Sequence, residues 1–497
     1  MSALQSLLTG FSIALSFKGI LYCAIGAMMG LFIGSLPGMG AVTGIALLLP
    51  LTFKFEPAVG IIMLCSLYYA NMYGGAYSAI ILNIPGDSSA IMTTLDGYPM
   101  ACRGQAGKAI MSANLASFIG GTIGMVILTF TGTWLARIGL KFGPAEMTSL
   151  LLLAMTSLGW AMGQDPYKGI AAAMFGLLLT AVGVGMGGSA RLNFGSYSLL
   201  SGIPFVPLVI GMFGLSQVIL MMPKRHERSK AATEVIHLRD SRLSEEEIKG
   251  IVPTSVRCGL IGTITGVLPG AGGTIANFFG YMLEKRVNRK GDRFGTGIVE
   301  GIAASESANN GCVGGALAPT LALGIPGSGA TALLLGGLTM WGLTPGPMLY
   351  VKQHDLVWSV IASLYVANII CICVGTLLIP IMAKVSRVRS TILIPLITVI
   401  CFLGAYSSER SMYGVVIMLA GACLGYIFNK FDWPSAPFLL AFVLGSTLED
   451  KFRQAIVLGH GSPMIFIQKP ISLLFIILLL ICLIVPAVMG RRKKKVS

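Results

Sequence analysis

Apolar runs of near-bilayer length recur along the chain, and their polar interruptions fall at matching places in its two halves. The runs are Ile61–Leu82, Met111–Phe130, Leu150–Met162, Gly169–Val184, Phe205–Met221 and Val357–Met382. Towards the end come Ile392–Ala405, Tyr413–Phe428, Ser435–Thr447 and Leu473–Met489. A hydrocarbon core takes about 20 residues of helix, and shorter runs are accommodated by local thinning. The pattern predicts an all-α polytopic membrane protein with about ten to fourteen helical segments.

The interruptions repeat. Ser35–Gly40 reads SLPGMG, and Val267–Gly273 reads VLPGAGG. Asn71–Gly75 (NMYGG) is echoed by Asn309–Gly315 (NNGCVGG), and Asn83–Ala90 (NIPGDSSA) by Gly324–Thr331 (GIPGSGAT). Pro37 precedes Pro269 by 232 positions, Gly74 precedes Gly314 by 240, and Pro85 precedes Pro326 by 241. Kept order and near-constant spacing predict two repeats, 1–222 and 251–490. A linker at 223–250 separates them, and 491–497 forms a basic tail. Transporter repeats are often inverted, with the substrate site at their interface. Two inverted repeats with re-entrant hairpins and broken helices are therefore expected.

Composition excludes a soluble protein. Of 497 residues, 55% are hydrophobic and 11% charged, against about 25% charged in soluble domains. The formal charge of +15 concerns orientation, because Lys and Arg collect in cytoplasmic loops. No basic patch with interleaved aromatics suggests nucleic acid. Lys224–Lys249 carries seven Lys/Arg, and Glu284–Arg293 five. Between them lies apolar Thr254–Leu283, interrupted by Pro269–Gly273. A single crossing would strand one basic cluster outside, whereas a returning hairpin keeps both inside. The tail Arg491–Lys495 then lies in the cytoplasm. Ser244 before an acidic run predicts a capped helix start. No basic start or cleavage site suggests a signal peptide. The ten cysteines read as small core hydrophobes, and the four histidines show no metal spacing.

Helix N-termini expose unpaired N–H groups and about half a positive charge. Pro-Gly followed by hydroxyls reads as a half-helix start aimed at an anion. The expected substrate contacts are Asn83, Pro85, Gly86, Asp87, Ser88 and Ser89 in the first repeat. In the second they are Pro326, Gly327, Ser328, Gly329 and Thr331. Expected ion contacts are Pro37, Gly38 and Gly40, then Pro269, Gly270, Gly272, Gly273 and Thr274, with Asn309 and Asn310 nearby. Kinks at helix packing contacts are the structural alternative. Asp87, Asp96, Glu300 and Glu306 are acids in or beside apolar stretches, where such groups tend to be functional. The alternative places Asp96 and Glu300 at the interface, solvated or paired with Arg103, Lys108 or Arg293. No Lys or Arg falls near the candidate site, so a co-bound Na⁺ or H⁺ is expected to balance a di- or tricarboxylate. No cofactor is implied. A catalytic role would need a GxGD acid pair, an intrabilayer Ser/His pair or HExxH, and none is present. A passive anion channel and an intramembrane enzyme remain the alternatives.

LPGMG, MYGGAYSAIILNIPGDSSAIMTTLDGYPM, ESANNGCVGGALAPTLALGIPGSGATALLLGGL with GLTPGPMLY, and PFLLAFVLGSTLEDKFRQAI together resemble the TctA family. This is the large membrane subunit of tripartite tricarboxylate transporters. The resemblance covers almost the whole chain. It implies a small four-helix membrane subunit and a periplasmic solute-binding protein as partners, in the bacterial inner membrane. It implies carboxylate uptake by symport on an ion gradient, not by ATP. Beyond these partners come membrane lipid and a possible homodimer. The family often has Glu after the first IPG and a basic residue after PMA; Asp87 and Cys102 stand here.

Overall fold

The structure, a computed structural model, describes residues 3–162, 166–185, 188–222, 236, 238–269, 272–385, 388 and 390–494. It is all-α. Among the described residues the only strands are Gly183–Val184 and Ala190–Arg191, a two-residue ladder. This corrects the apolar run Gly169–Val184, whose helix stops at Thr180. Six described helices are long and apolar enough to cross a membrane. In one of them, Thr391–Glu409, only 28% of the apolar window is buried. Such a face is stable against lipid and costly against water.

In the first half α1 (Phe17–Gly34) and α2 (Ala41–Thr52) flank the Pro37 turn. Helices α3 (Pro57–Leu82) and α4 (Ile91–Cys102) flank Pro85-Gly86, and α5 (Ala106–Gly139) follows. The second half repeats the order with α6 (Glu245–Val267), α7 (Gly272–Val287), α8 (Val299–Leu323), α9 (Gly329–Met340) and α10 (His354–Leu377).

Both LPG interruptions are hairpins. Across the second break, Thr254 bonds Glu284 at 2.9 Å and the Cys258 thiol bonds the Gly280 carbonyl at 3.4 Å. These partners are equidistant from the turn, so the chain returns along itself. Across the first, the Tyr22 ring packs tilted against Phe55, centroids 4.9 Å apart, and Gly44 lies against Ile33. The first arm of the second hairpin is 23 residues long, more than the half-crossing expected. Its start is a full capping box between Ser244 and Glu247, as the acidic run implied.

The repeat extends to contacts. Any side chain on Gly30 or Gly34 would strike the carbonyl of Leu67 or Asn71. The equivalent positions, Gly262 and Gly266, face the carbonyls of Ala308 and Cys312. Small residues let membrane helices approach backbone to backbone. Helices α3 and α8 end identically, in left-handed residues: Asn83 at φ 58° and Gly324 at φ 72°. The halves also interlock. Gly120 and Gly124 of α5 pack on Ser307 and Gly311 of α8. In return, Asn368 Oδ1 of α10 accepts from the Tyr69 hydroxyl at 2.7 Å, and the Gly375 carbonyl accepts from the Tyr77 hydroxyl at 3.3 Å. Residues 223–235 and 237 of the linker, and 495–497 of the tail, lie outside the described residues.

Candidate functional site

The two LPG hairpins and the two Pro-Gly breaks meet on one cavity of about 400 Å³, within the usual range of ligand pockets, ~300–1,000 Å³. Gly38 and Gly40 reach it from the first hairpin, and Gly272, Gly273 and Thr274 from the second. Pro85, Gly86, Asp87, Ser88 and Ser89 reach it from the first break, and Ser328 and Gly329 from the second.

Four helices present their first turns to this space: α2 through Ala41–Thr43, α7 through Gly272–Thr274, α9 through Gly329–Ala330 and the late helix Ser435–Leu458 through Ser435–Ala436. A fifth, α4, is entered through the 3₁₀ turn Ser88–Ala90. First-turn amides lack intrahelical acceptors, and each α-helix start carries roughly +0.5 charge. Among the described residues no Lys or Arg lines the cavity and the one acid that does is Asp87. It is turned onto a helix start: Oδ2 accepts from the Ala41 amide at 3.2 Å, and Oδ1 from the Ser88 hydroxyl at 3.1 Å. The cavity therefore favours anions, with one negative charge already built in.

Contacts cross between the repeats. The Ser88 and Thr274 hydroxyls are 2.8 Å apart, and those of Tyr68 and Ser328 3.3 Å. Ser328 caps α9 reciprocally with Thr331. Asn277 donates to the Ser89 carbonyl at 2.5 Å and accepts from the Met92 amide at 3.2 Å.

Several expected contacts lie off the cavity wall. Asn83 is the left-handed cap that ends α3. Pro326 and Gly327 are buried, and Gly327 packs on Gly266 and Ala316. Thr331 Oγ1 accepts from the Ser328 amide at 2.9 Å. Pro37 and Pro269 shape the turns behind the wall, and Gly270 lies outside the described residues. Asn310 donates to the Ser117 hydroxyl at 2.7 Å, away from the cavity. Asn309 stands one layer behind it, against Gly273. Gly86 lines the cavity, but its missing side chain makes room for the Gly34 carbonyl. Its glycine thus serves the hairpin as well as any ligand. The LPG loops, expected to hold a cation, lead into helix starts that suit an anion.

Asp96 is not solvated, and among the described residues no base pairs with it. It is fully buried and accepts from the Tyr281 hydroxyl at 2.8 Å and from the amides of Gly295, Gly297 and Ile298 at 2.8–3.1 Å. It ties α4 to the start of α8. Arg103 binds the carbonyls of Thr296 and Gly297 beside it, and Glu300 pairs with Lys290 at 2.5 Å.

Sequence reasoning missed Tyr68, Met72, Phe213 and Gln217, all on the wall. Phe213 sits in a π-helical turn, Ile210–Leu215, whose wider register leaves its carbonyl to the Thr43 hydroxyl at 3.2 Å. Such turns gather at functional sites. Gly211 and Gly214 inside the run were the available signal. A larger hollow of about 840 Å³ carries Lys54 and Arg410, but no repeated loop reaches it.

A duplicated, multi-pass helical scaffold with its interruptions gathered on one polar cavity defines a membrane transporter. The chain belongs to the tripartite tricarboxylate transporter TctA family, which matches residues 20–440. It is 35% identical over 499 aligned positions to an uncharacterized 52.8 kDa protein in the TAR-I ttuC' 3' region of Agrobacterium vitis, covering 99% of each chain. It is 34% identical to an uncharacterized protein in the TAR-II ttuC' 3' region of the same organism, covering 47% of this chain and 97% of that one. No solved structure matches it.

Proposed function

We propose that this chain is the large membrane subunit of a secondary transporter importing organic anions, di- and tricarboxylates being the class. The carrying observation is that four helix starts and the turn into a fifth share one cavity with no basic side chain among the described residues. Carboxylates suit preorganised amides and hydroxyls. The substrate lies between Ser88, Thr274 and the Gly329–Ala330 amides, near Tyr68 and Ser328. A Na⁺ or H⁺ gradient drives uptake, because four helix starts, with the Asp87 carboxylate among them, offset only part of a polyanion's charge.

The family is named for a tripartite transporter. A small four-helix membrane subunit and a periplasmic binding protein complete the complex in the bacterial inner membrane. Both basic clusters and the C-terminus lie in the cytoplasm. The repeats are inverted across the membrane plane and alternate the cavity between its two faces. An elevator-like movement is supported by fold analogy alone.

Reconstitution of the three components in proteoliposomes tests this reading. Labelled carboxylate should accumulate against its gradient when an ion gradient is imposed. Equilibration without accumulation would indicate the passive channel instead, and no carboxylate uptake would end the reading.

A further inference from the structure

Glu306 lies in α8 with no exposed surface and no ion pair among the described residues. Its Oε1 accepts from the Thr93 hydroxyl. Among the described residues its Oε2 has no hydrogen-bond partner, and neither have the Oδ1 atoms of Asn309 and Asn310. Asn309 and Ser117 stand close enough to act on the carboxyl, but neither completes a bond to Oε2. The titratable group facing it from α3 is Tyr77, whose hydroxyl is engaged by Asn114 and Gly375. Two fully buried acceptor oxygens, Glu306 Oε2 and Asn309 Oδ1, thus sit on neighbouring side chains of one helix face with no basic group among the described residues to satisfy them. A buried carboxylate left alone is costly, and the cost is removed by a bound positive charge.

The site adjoins the cavity. Asn309 Oδ1 lies 2.7 Å from where a side chain on Gly273 would begin, and Ser89 Cβ lies equally close to that point. Gly273 and Ser89 both line the cavity. Thr93 belongs to the broken helix that starts at Ser88, and it also meets Ser305 at 2.5 Å, to which Asn277 donates at 2.8 Å. A charge at Glu306 therefore bears on both loops that hold Ser88 and Thr274.

We propose that Glu306 and Asn309 form a binding site for one small monovalent cation, a sodium ion or a proton, that moves with the substrate. The site rests on the transport reading above and assigns its coupling ion a place. The cation enters past Gly273, is held by Glu306 Oε2 and Asn309 Oδ1, and neutralises the carboxyl. Its arrival fixes Thr93 and, through α4, the Ser88 turn.

The test uses the reconstituted complex in two arms: sodium removed at constant pH, or the proton gradient collapsed at constant sodium. Wild-type accumulation should fail in one arm and so identify the ion. Glu306→Gln should lower accumulation at least tenfold, and the residual uptake should ignore that ion. Asn309→Ala should raise the half-saturating ion concentration about tenfold. In the wild-type complex, dicyclohexylcarbodiimide should modify Glu306, and substrate uptake should fall with labelling. Sodium should slow the labelling if it is the ligand; if the proton is, raising the pH should. Unchanged ion dependence in both variants, or labelling indifferent to sodium and pH, would overturn the site while leaving carboxylate transport standing. Absence of any wild-type carboxylate uptake would overturn the transport reading itself.

Discussion

The hydroxyls of Ser88 and Thr274 lie 2.8 Å apart, although 186 residues separate them. One belongs to the broken helix of the first repeat and the other to the hairpin of the second. Both line the cavity. If they bind the substrate together, Ser88→Ala and Thr274→Ala should each raise the half-saturating carboxylate concentration about tenfold, since a hydrogen bond to a charged group is worth ~1.5–3 kcal/mol. The double variant should be little worse than either. Uptake assays at equal membrane expression measure this.

Gly86 faces the opposite demand. A Cβ there would lie 2.0 Å from the Gly34 carbonyl. Gly86→Ala should lower stability by ~1–3 kcal/mol or more, because the hairpin arm has nowhere to move. Gly38, at φ 76° with open space around it, should cost only ~1–2 kcal/mol as alanine, from backbone strain. Thermal unfolding in detergent should rank them in that order.

Asp87 places a negative charge on the rim of an anion cavity. Its carboxylate occupies the start of α2 through the Ala41 amide. Asp87→Asn should therefore tighten carboxylate binding, by about tenfold for a charge within ~7 Å at an effective dielectric near 20 and with some screening. Maximal uptake should fall as release slows. Equilibrium binding and transport rate measured on one preparation separate the two effects.

Asp96 is a structural acid. Replacing it with Ala leaves the Tyr281 hydroxyl and the amides of Gly295, Gly297 and Ile298 without their acceptor. Each buried orphan costs ~1–3 kcal/mol. Asp96→Ala should abolish stable membrane expression, and Asp96→Asn should restore part of it. Expression yield and melting temperature in detergent report this directly.

Much of this architecture was legible in the chain. The spacing of Pro37 to Pro269 and of Pro85 to Pro326 carries over as equivalent backbone contacts, because Gly34 and Gly266 touch the same places in their own repeats. The hairpin return followed from charge on both sides of Pro269. What could not be read were contacts between halves. Nothing in the first repeat's sequence says that Ser88 meets Thr274, that Tyr68 meets Ser328 or that Thr93 reaches Glu306. Asp96 misled for a related reason: its partners are backbone amides of a distant loop, which no side-chain pattern announces. Asn83 misled because an amide beside Pro-Gly looks like a ligand contact, yet its left-handed backbone ends a helix.

The most direct measurement is a density map of the complex with a bound dicarboxylate. Ligand density should lie between Ser88, Thr274 and the first turn of the helix starting at Gly329, with Glu306 one layer behind. Density in the hollow between Lys54 and Arg410, with the four loops packed dry against one another, would contradict it.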